Sequence, residues 1–374
     1  MNECVLIVNA GSSSLKLSLY TEGEVIHGKT TDVNDFEKAF SSFLQYKPSA
    51  IGHRVVHGGT IYTTSTWIDQ EVIDNIQKLA NLAPLHNSIS LKAIKYCQKH
   101  FPLIPQYGTF DTSFHRTLPI HARSYAIPSA ISDKYGIQRF GFHGIAHAHS
   151  YKTFADAYTP VKAITCHLGS GCSITAIDKG ISIDTSMGFT PNEGLMMSTR
   201  SGDVDPGLFK FLSQQGYDIN TIHEMLNLES GILGVSGISS SMKEVINVQS
   251  EATRLKSLIT QDLFSYRVLK TIGSYFAVLQ GADAILFTGG IGENSPEIRH
   301  KILAPLRWLG VNIDPVKNNL AKSPKPSEIF EINDDKSNIK VCVIGSDENG
   351  FIYDQYTSFL KKLLPQKASS WTKK

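Results

Sequence analysis

The stretch CVLIVNAGSSSLKLSLY, residues 4–20, has a partner in AITCHLGSGCSITAI, residues 163–177. In the first, Cys4 to Val8 form a continuous apolar run, and Asn9-Ala10-Gly11-Ser12-Ser13-Ser14 a turn of small residues. Leu15, Leu17 and Leu19 then alternate with polar neighbours. A continuous run suits a strand buried on both faces, and alternation suits one buried on a single face. A Gly/Ser turn between them makes the pair a hairpin. The second stretch repeats this: Ala163 to His167, then Leu168-Gly169-Ser170-Gly171, then Cys172 to Ile177. Two such hairpins, 158 residues apart, predict a duplicated domain.

Working outward, apolar residues from Leu255 through Phe264 and Ile272 to Leu279 recur at helical spacing and predict a long core-facing helix over about 251–280. It leads into a strand, Ala284 to Phe287, then a glycine-rich turn, Thr288 to Asn294, then a second helix. Asn294 or Ser295 would cap that helix, Pro296 suits its first turn, and Ile298, Ile302, Leu306 and Leu309 would form its buried face. Helix, strand, glycine-rich turn and helix make α/β grammar. Lys322–Ser327 reads as an exposed loop, and the lysine-rich tail after Lys361 as solvated. Gly23 to Thr30 satisfies the GxxxxGK[ST] pattern. Its interior Val25-Ile26 is a strand pair and Thr30-Thr31-Asp32 starts a helix poorly, so a hairpin turning at Thr21-Glu22-Gly23 is the better reading.

The chain's 374 residues, 41% hydrophobic, suffice for two domains. A net charge of +2 with 19% charged residues argues against nucleic acid as a partner and against disorder. Five cysteines without a CxxC pair suggest neither a disulfide framework nor a thiolate zinc site, and point to a reducing cytoplasm. No apolar run approaches the roughly 20 residues that span a bilayer, so no membrane association is expected. The N-terminus has neither the basic region nor the apolar length of a signal peptide.

Phosphate recognition needs backbone N–H groups that can be approached closely, with short hydroxyl or amide side chains beside them. Asn9 to Ser14 with Lys16, Leu168 to Gly171, and Gly289 to Gly292 all qualify, and each follows a strand. Between them lie polar segments beside glycine or proline, carrying Arg54, His86, Asp111, His143, Arg200, Asp203 and Asp205. Cations to offset charge, carboxylates for a divalent ion and groups to place an acceptor are what phosphoryl transfer requires.

The motifs VNAGSSSLK (8–16), HRVVHGG (53–59), APLHN (83–87), FDTSFH (110–115), RFGFHG (139–144), DTSMGFTPNEGLMMSTRSGDVDPG (184–207), GVSGIS (234–239) and FTGGIGENS (287–295) resemble, in order, those of the acetate, propionate and butyrate kinase family. The resemblance runs from Val5 to Glu348, with a shorter stretch than is usual between Lys16 and Arg54. It implies two actin-like, ribonuclease-H-like α/β domains around a central nucleotide cleft. The expected division is 1–117 with 351–374, and 118–350, the latter carrying most of the nucleotide site. It also implies reversible transfer between ATP and acetate, giving ADP and acetyl phosphate with Mg²⁺ (Mn²⁺ as the alternative), in a homodimer. Propionate as acceptor, an altered phosphoryl donor, and a non-enzymatic actin-like nucleotide module are the competing readings.

By the same resemblance, Asn9 and Glu348 are metal-site residues, and Ser12, Ser14 and Lys16 face phosphate. Arg54 pairs with the substrate carboxylate, while Val56, Leu85, Phe142 and Pro191 wall its methyl group. Asp111 is the catalytic aspartate, and His143 and Arg200 stabilise the transition state. His167, Leu168, Gly169, Ser170 and Gly171, then Ser241, Met242 and Lys243, then Gly290, Ile291, Gly292, Glu293 and Asn294 contact the nucleotide. Acetate is already ionised at neutral pH, so Asp111 is expected to bind metal or position groups and not to abstract a proton. A metal site at His143, His147 and His149 lacks a carboxylate at matching spacing. The chain departs from the family at Ser170, where asparagine is usual, at Ser241 and Lys243, where Asp and Arg are usual, and at Asp347 and Asn349 beside Glu348. These changes fall on the nucleotide side, which leaves base selectivity open.

Overall fold

The computed structural model describes residues 4–11, 14–33, 35–80, 84–159 and 161–368. By its internal contacts the chain divides into Met1–Arg116 with Asp347–Lys374, and Thr117–Ser346. The second crossing falls at Asp347, so Glu348, which opens the helix Glu348–Ala368, belongs with the first unit.

The first unit is built on β1 (Cys4–Ala10), β2 (Ser14–Thr21), β3 (Glu24–Asp32), β4 (Ala50–Val55), β5 (Thr66–Trp67) and β6 (Gln106–Phe110), in the order β3-β2-β1-β4-β6-β5. The β1–β2–β3 meander is antiparallel, β1, β4 and β6 run parallel, and β5 returns antiparallel on β6. β1 is buried almost throughout, while on β2 Leu15, Leu17 and Leu19 point inward and Lys16 outward. Leu6, Val8, Leu17 and Ile51 pack with Phe40 and Phe43 in one core, and Val55, Ile76, Ile94 and Phe110 form another. Glu22 and Gly23 both take positive φ, 53° and 89°, the two-residue hairpin geometry that twists with its strands. Val25 and Ile26 are therefore strand residues of β3, as the hairpin reading expects.

The second unit holds β7 (Lys162–Leu168), β8 (Cys172–Asp178), β9 (Ile181–Thr185), β10 (Ala284–Thr288), β11 (Ile329–Glu331) and β12 (Lys340–Ile344). Their order, β9-β8-β7-β10-β12-β11, is that of the first sheet with every pair in the same sense. The hairpin turn recurs as well, with Lys179 at φ 49° and Gly180 at 88°.

Two expectations need correction. The glycine-rich segment after β10 is not a turn but a short helix, Gly289–Asn294, followed directly by the helix Pro296–Leu303 with proline in its first turn. Ile298 and Ile302 are buried on that helix, but Leu306 and Leu309 lie in the 3₁₀ segment after it, Leu306 buried and Leu309 half-buried. The long helix Glu251–Leu279 faces the core only in its later turns, through Phe264, Val268, Ile272 and Phe276. In its first turns the inward positions are Ser257, Thr260 and Gln261, and Leu255, Leu258 and Ile259 are exposed. The Ser257 hydroxyl donates to the Val245 carbonyl (2.5 Å) and the Gln261 amide to Ser257 (3.0 Å), so hydrogen bonds replace apolar packing there.

Candidate active site

In an α/β sheet the ligand end is where parallel strands leave their carboxyl termini. In the first unit Asn9 lies near the end of β1, Arg54 near the end of β4, and Asp111 directly after β6. Arg54 links Asp111 to Asn9 and Glu348. Arg54 Nη2 donates to Asp111 Oδ2 at 2.7 Å, and Arg54 Nε reaches both carboxylate oxygens at 3.2 and 3.3 Å. Arg54 Nη1 donates to Asn9 Oδ1 (3.3 Å) and lies 3.6 Å from Glu348 Oε2, which also accepts from Asn9 Nδ2 at 2.8 Å. Burial alone would pull the Arg54 pKa down; the Asp111 and Glu348 carboxylates outweigh it and hold the pKa above its ordinary value. Lys16 faces Asn9 directly across the β1–β2 ladder, on the same face. Ser14 opens β2, its carbonyl accepting from Gly11 N at 2.9 Å. Val56 is buried, Ser12 lies outside the described residues, and Leu85 falls within the helix Pro84–His100 but its side chain is not among those described.

In the second unit the carboxyl ends of β7 and β10 border a cavity of about 750 Å³. Of the nucleotide residues inferred from sequence, Gly169, Ser170, Ser241, Met242, Lys243, Gly290, Ile291 and Asn294 line it; His167, Leu168, Gly171, Gly292 and Glu293 do not. Glu293 is occupied in holding the loop: its Oε1 accepts from Gly289 N (2.8 Å), Ser346 N (3.1 Å) and the Ser346 hydroxyl. Gly289 has φ +80°, and a Cβ there would meet the Leu168 backbone at 2.8 Å, so only glycine lets the two loops approach.

Beside the cavity, Gly171 marks where two side chains converge. A Cβ at that position would stand 2.8 Å from Arg200 Nη2 and 3.0 Å from His143 Nε2. Arg200 Nη1 donates to the Pro191 carbonyl at 2.6 Å, so the guanidinium and the Pro191 backbone are set together. Burial lowers the Arg200 pKa, with the nearby Cys172 thiol acting the other way. His143 stands at the position before the helix Gly144–Ala157 with φ 55° and ψ 23°, a left-handed conformation that costs a non-glycine residue about 1–2 kcal/mol. Phe142 before it is buried. His147 and His149 bond to hydroxyls, His147 to Thr165 and Ser173, His149 to Ser327 and Thr153, and among the described residues no group of three or more His, Cys, Asp or Glu is placed to hold a metal ion.

Sequence reading missed part of the cavity wall: Ser198, Asn247, Glu297, Lys322 and Ser323 line it too. Lys322 and Ser323 read as loop because no local pattern marks them. Ser323 N and Oγ donate to Asn294 Oδ1 at 2.9 and 3.0 Å, which folds the loop back onto the site. Arg299 was equally silent. Wholly buried, it donates to the Gly292, Asn318 and Ala321 carbonyls and to Asn318 Oδ1 at 2.7–2.8 Å, and burial pulls its pKa down to about 10.

A profile of the Acetokinase family matches residues 31–354. The acetate kinase of Thermoanaerobacter pseudethanolicus is 43% identical over 319 residues, 84% of this chain and 78% of that one. Among solved structures, Porphyromonas gingivalis acetate kinase matches with TM-score 0.86 at 33% identity, covering 96% of this chain and 100% of that one. A propionate kinase from Francisella tularensis subsp. tularensis matches with TM-score 0.85 at 35% identity, covering 94% and 98%. At this identity and coverage fold likeness and sequence likeness agree, and the chain belongs to the acetokinase family.

Proposed function

We propose that the protein transfers the γ-phosphoryl group of ATP to acetate, reversibly, giving acetyl phosphate and ADP. The observation that carries this reading is the convergence of Arg200 and His143 on Gly171, next to the Gly169-Ser170 wall of the cavity. A nucleotide in that cavity would send its phosphates toward two donors. An acetate oxygen attacks Pγ in line, the Pγ–O bond to the β-phosphate breaks, and ADP leaves. Donors aimed at the equatorial oxygens act where charge is redistributed in the transition state. No proton need move, because the acetate is ionised.

Arg54 is the residue for the acetate carboxylate, and Val56, Leu85, Phe142 and Pro191 the wall for its methyl group. Asp111, buried and bonded through both oxygens to Arg54, positions the guanidinium. That leaves Nη1, now on Asn9 and Glu348, as the edge able to exchange partners for substrate. Asn9 Oδ1 and the carboxylates of Glu348 and Asp111 form a set of hard oxygen donors that fits Mg²⁺, which commonly keeps several waters and one or two carboxylates. The ion, when bound, would neutralise phosphate charge; Mn²⁺ has the same ligand preference. Ser12, Ser14 and Lys16 would meet phosphate, and Ser241, Met242, Lys243, Gly290, Ile291 and Asn294 the nucleoside, with His167, Leu168, Gly171, Gly292 and Glu293 shaping the loops behind them.

Five free thiols suit a cytoplasmic setting, and among the described residues no helix is long and apolar enough to cross a membrane. The exposed Leu255, Leu258 and Ile259 suit a homodimer contact; Leu258→Glu should then shift sedimentation toward the monomer.

Trapping acyl phosphate with hydroxylamine tests the activity. ATP, Mg²⁺ and acetate should yield acetyl hydroxamate, and EDTA should abolish it. Propionate should react more weakly, since one methylene in an apolar pocket is worth only about 1–3 kcal/mol. No product with acetate, propionate or butyrate would leave the nucleotide module standing instead. Rates with GTP and pyrophosphate measure what Ser170, Ser241 and Lys243 do to donor choice; strict ATP preference would show that they do not relax it.

A further inference from the structure

Behind His143 a chain of buried hydrogen-bonding groups leads into the second sheet. His143 Nδ1 lies 2.9 Å from Ser173 Oγ, and the same oxygen lies 2.7 Å from His147 Nε2. His147 Nδ1 lies 2.7 Å from Thr165 Oγ1, which is also 3.4 Å from the Thr175 carbonyl oxygen. His147, Ser173, Thr165 and Thr175 are completely buried. His143 and His147 stand one helical turn apart, so both rings reach β8 from the same side.

Ser173 and Thr165 each have a single hydroxyl proton, and a neutral imidazole has one N–H and one lone pair. With both rings neutral, the chain has two self-consistent directions. In one, His143 Nδ1–H donates to Ser173, Ser173 to His147 Nε2, and His147 Nδ1–H to Thr165, whose own proton is left with the Thr175 carbonyl at 3.4 Å. In the other, Thr165 donates to His147 Nδ1 at 2.7 Å, His147 Nε2–H to Ser173, and Ser173 to His143 Nδ1. The second makes every link short, whereas the first ends on a bond near the limit of useful length. The charged and titratable neighbours point the same way. Arg200 converges with His143 on Gly171 and disfavours a second positive charge there. The His167 ring lies 4.6 Å from that of His143. The Cys172 thiol, pushed by burial up to about 12, carries no charge at neutral pH.

We propose that Thr165, His147 and Ser173 act as positioning residues that fix His143 as the neutral tautomer with its proton on Nε2, so that an uncharged ring presents an N–H donor beside Arg200. The role of that donor rests on the phosphoryl-transfer reading above; the tautomer itself does not. Without the chain, the Arg200 guanidinium beside Nε2 would favour a lone pair there over an N–H, and that lone pair would repel a phosphoryl oxygen. Donation from Nε2 would then require the imidazolium, and the rate would fall as pH rises through the ordinary histidine range near 6.5.

The test is ¹⁵N–¹H correlation NMR on the full-length protein with labelled histidine, at pH 7.5, His143 being assigned by comparison with His143→Asn. The expected pattern is a protonated Nε2 and bare Nδ1 on both His143 and His147. A proton on His143 Nδ1, or an imidazolium there, overturns the proposal. Ser173→Ala should lower kcat roughly 10- to 100-fold with the KM values for acetate and ATP within about twofold. Its kcat should recover as pH falls below about 6.5, while the parent enzyme stays flat between pH 6 and 8. Ser173→Thr, which keeps the hydroxyl, should restore the flat profile. A Ser173→Ala profile as flat as the parent's also overturns the proposal. Should Ser173→Ala fail to fold, the NMR result on the parent protein decides alone. Absence of any acyl phosphate would sink the kinase reading but leave the tautomer assignment standing.

Discussion

Removing the Arg54 guanidinium would break the ion pair of Asp111, whose side chain is 1% exposed and whose oxygens both bond to Arg54. A buried charge that loses its partner costs about 3–5 kcal/mol. Arg54→Ala is therefore expected to lower unfolding stability by about that much, besides raising the acetate KM. Adding Asp111→Asn removes the buried carboxylate charge and should recover more than half of the loss in urea unfolding; no recovery would mean that the ion pair is not the source. Two histidines of the same unit set a pH dependence. Burial lowers His53 and His57 to about 4; His53 Nε2–H donates to Gln106 Oε1 at 2.7 Å and His57 Nδ1 accepts from Gly59 N at 3.0 Å. In the unfolded chain both would titrate near 6.5. Between pH 6.5 and 4 the unfolded state binds more protons, so stability falls as pH falls through that window and is insensitive to these groups above it. His53→Gln should flatten the slope. Arg54, Asp111, His143 and Arg200 stood out in the sequence by their motifs, and the structure pairs Arg54 with Asp111 and brings His143 and Arg200 together at Gly171. The partnership of Arg54 with Asp111, 57 residues apart, was not legible there, because strand order alone makes β4 and β6 neighbours.

At the scale of elements, Gly289–Asn294 shows why a helix can hide in a sequence. Each glycine costs about 1 kcal/mol in a helix, so local propensity argues for a turn. Tertiary partners supply what propensity lacks: Glu293 accepts the Gly289 N–H, and Arg299 takes the Gly292 carbonyl. The long helix Glu251–Leu279 fails in the opposite way. Its periodicity reveals an apolar stripe but not which side meets the core, and its first turns put Leu255, Leu258 and Ile259 outside. Arg299 also binds Asn318 and Ala321, so one buried cation joins two walls of the cavity, the Gly290–Asn294 side and the Lys322–Ser323 side. Lysine keeps the charge but is a compact point donor in place of a rigid fork. Arg299→Lys is expected to raise the ATP KM several-fold and leave the acetate KM unchanged. Equal rises in both would make Arg299 a general stabiliser and not a support of the nucleotide wall.

For the whole molecule, the repeated hairpin revealed the duplication, and the two sheets carry it through to the same strand order, senses and turn geometry. Divergence lies at the carboxyl ends of the parallel strands. The first unit bears Asn9, Arg54, Asp111 and Glu348, a cation among oxygen donors suited to a carboxylate and a metal ion. The second bears the cavity with Lys243, Lys322 and Glu297 on its wall. A net charge of +2 conceals this division, since the charges that matter are sorted by unit. The division predicts separable binding. ATP affinity measured without acetate by equilibrium titration should change less than about twofold in Arg54→Ala, because every residue lining the cavity belongs to Thr117–Ser346. Lys243→Ala should weaken ATP by about tenfold, a loss of roughly 1.4 kcal/mol, with acetate unaffected. If Arg54→Ala weakened ATP as much as Lys243→Ala does, Arg54 would hold the nucleotide, and its assignment to the acetate carboxylate would fail.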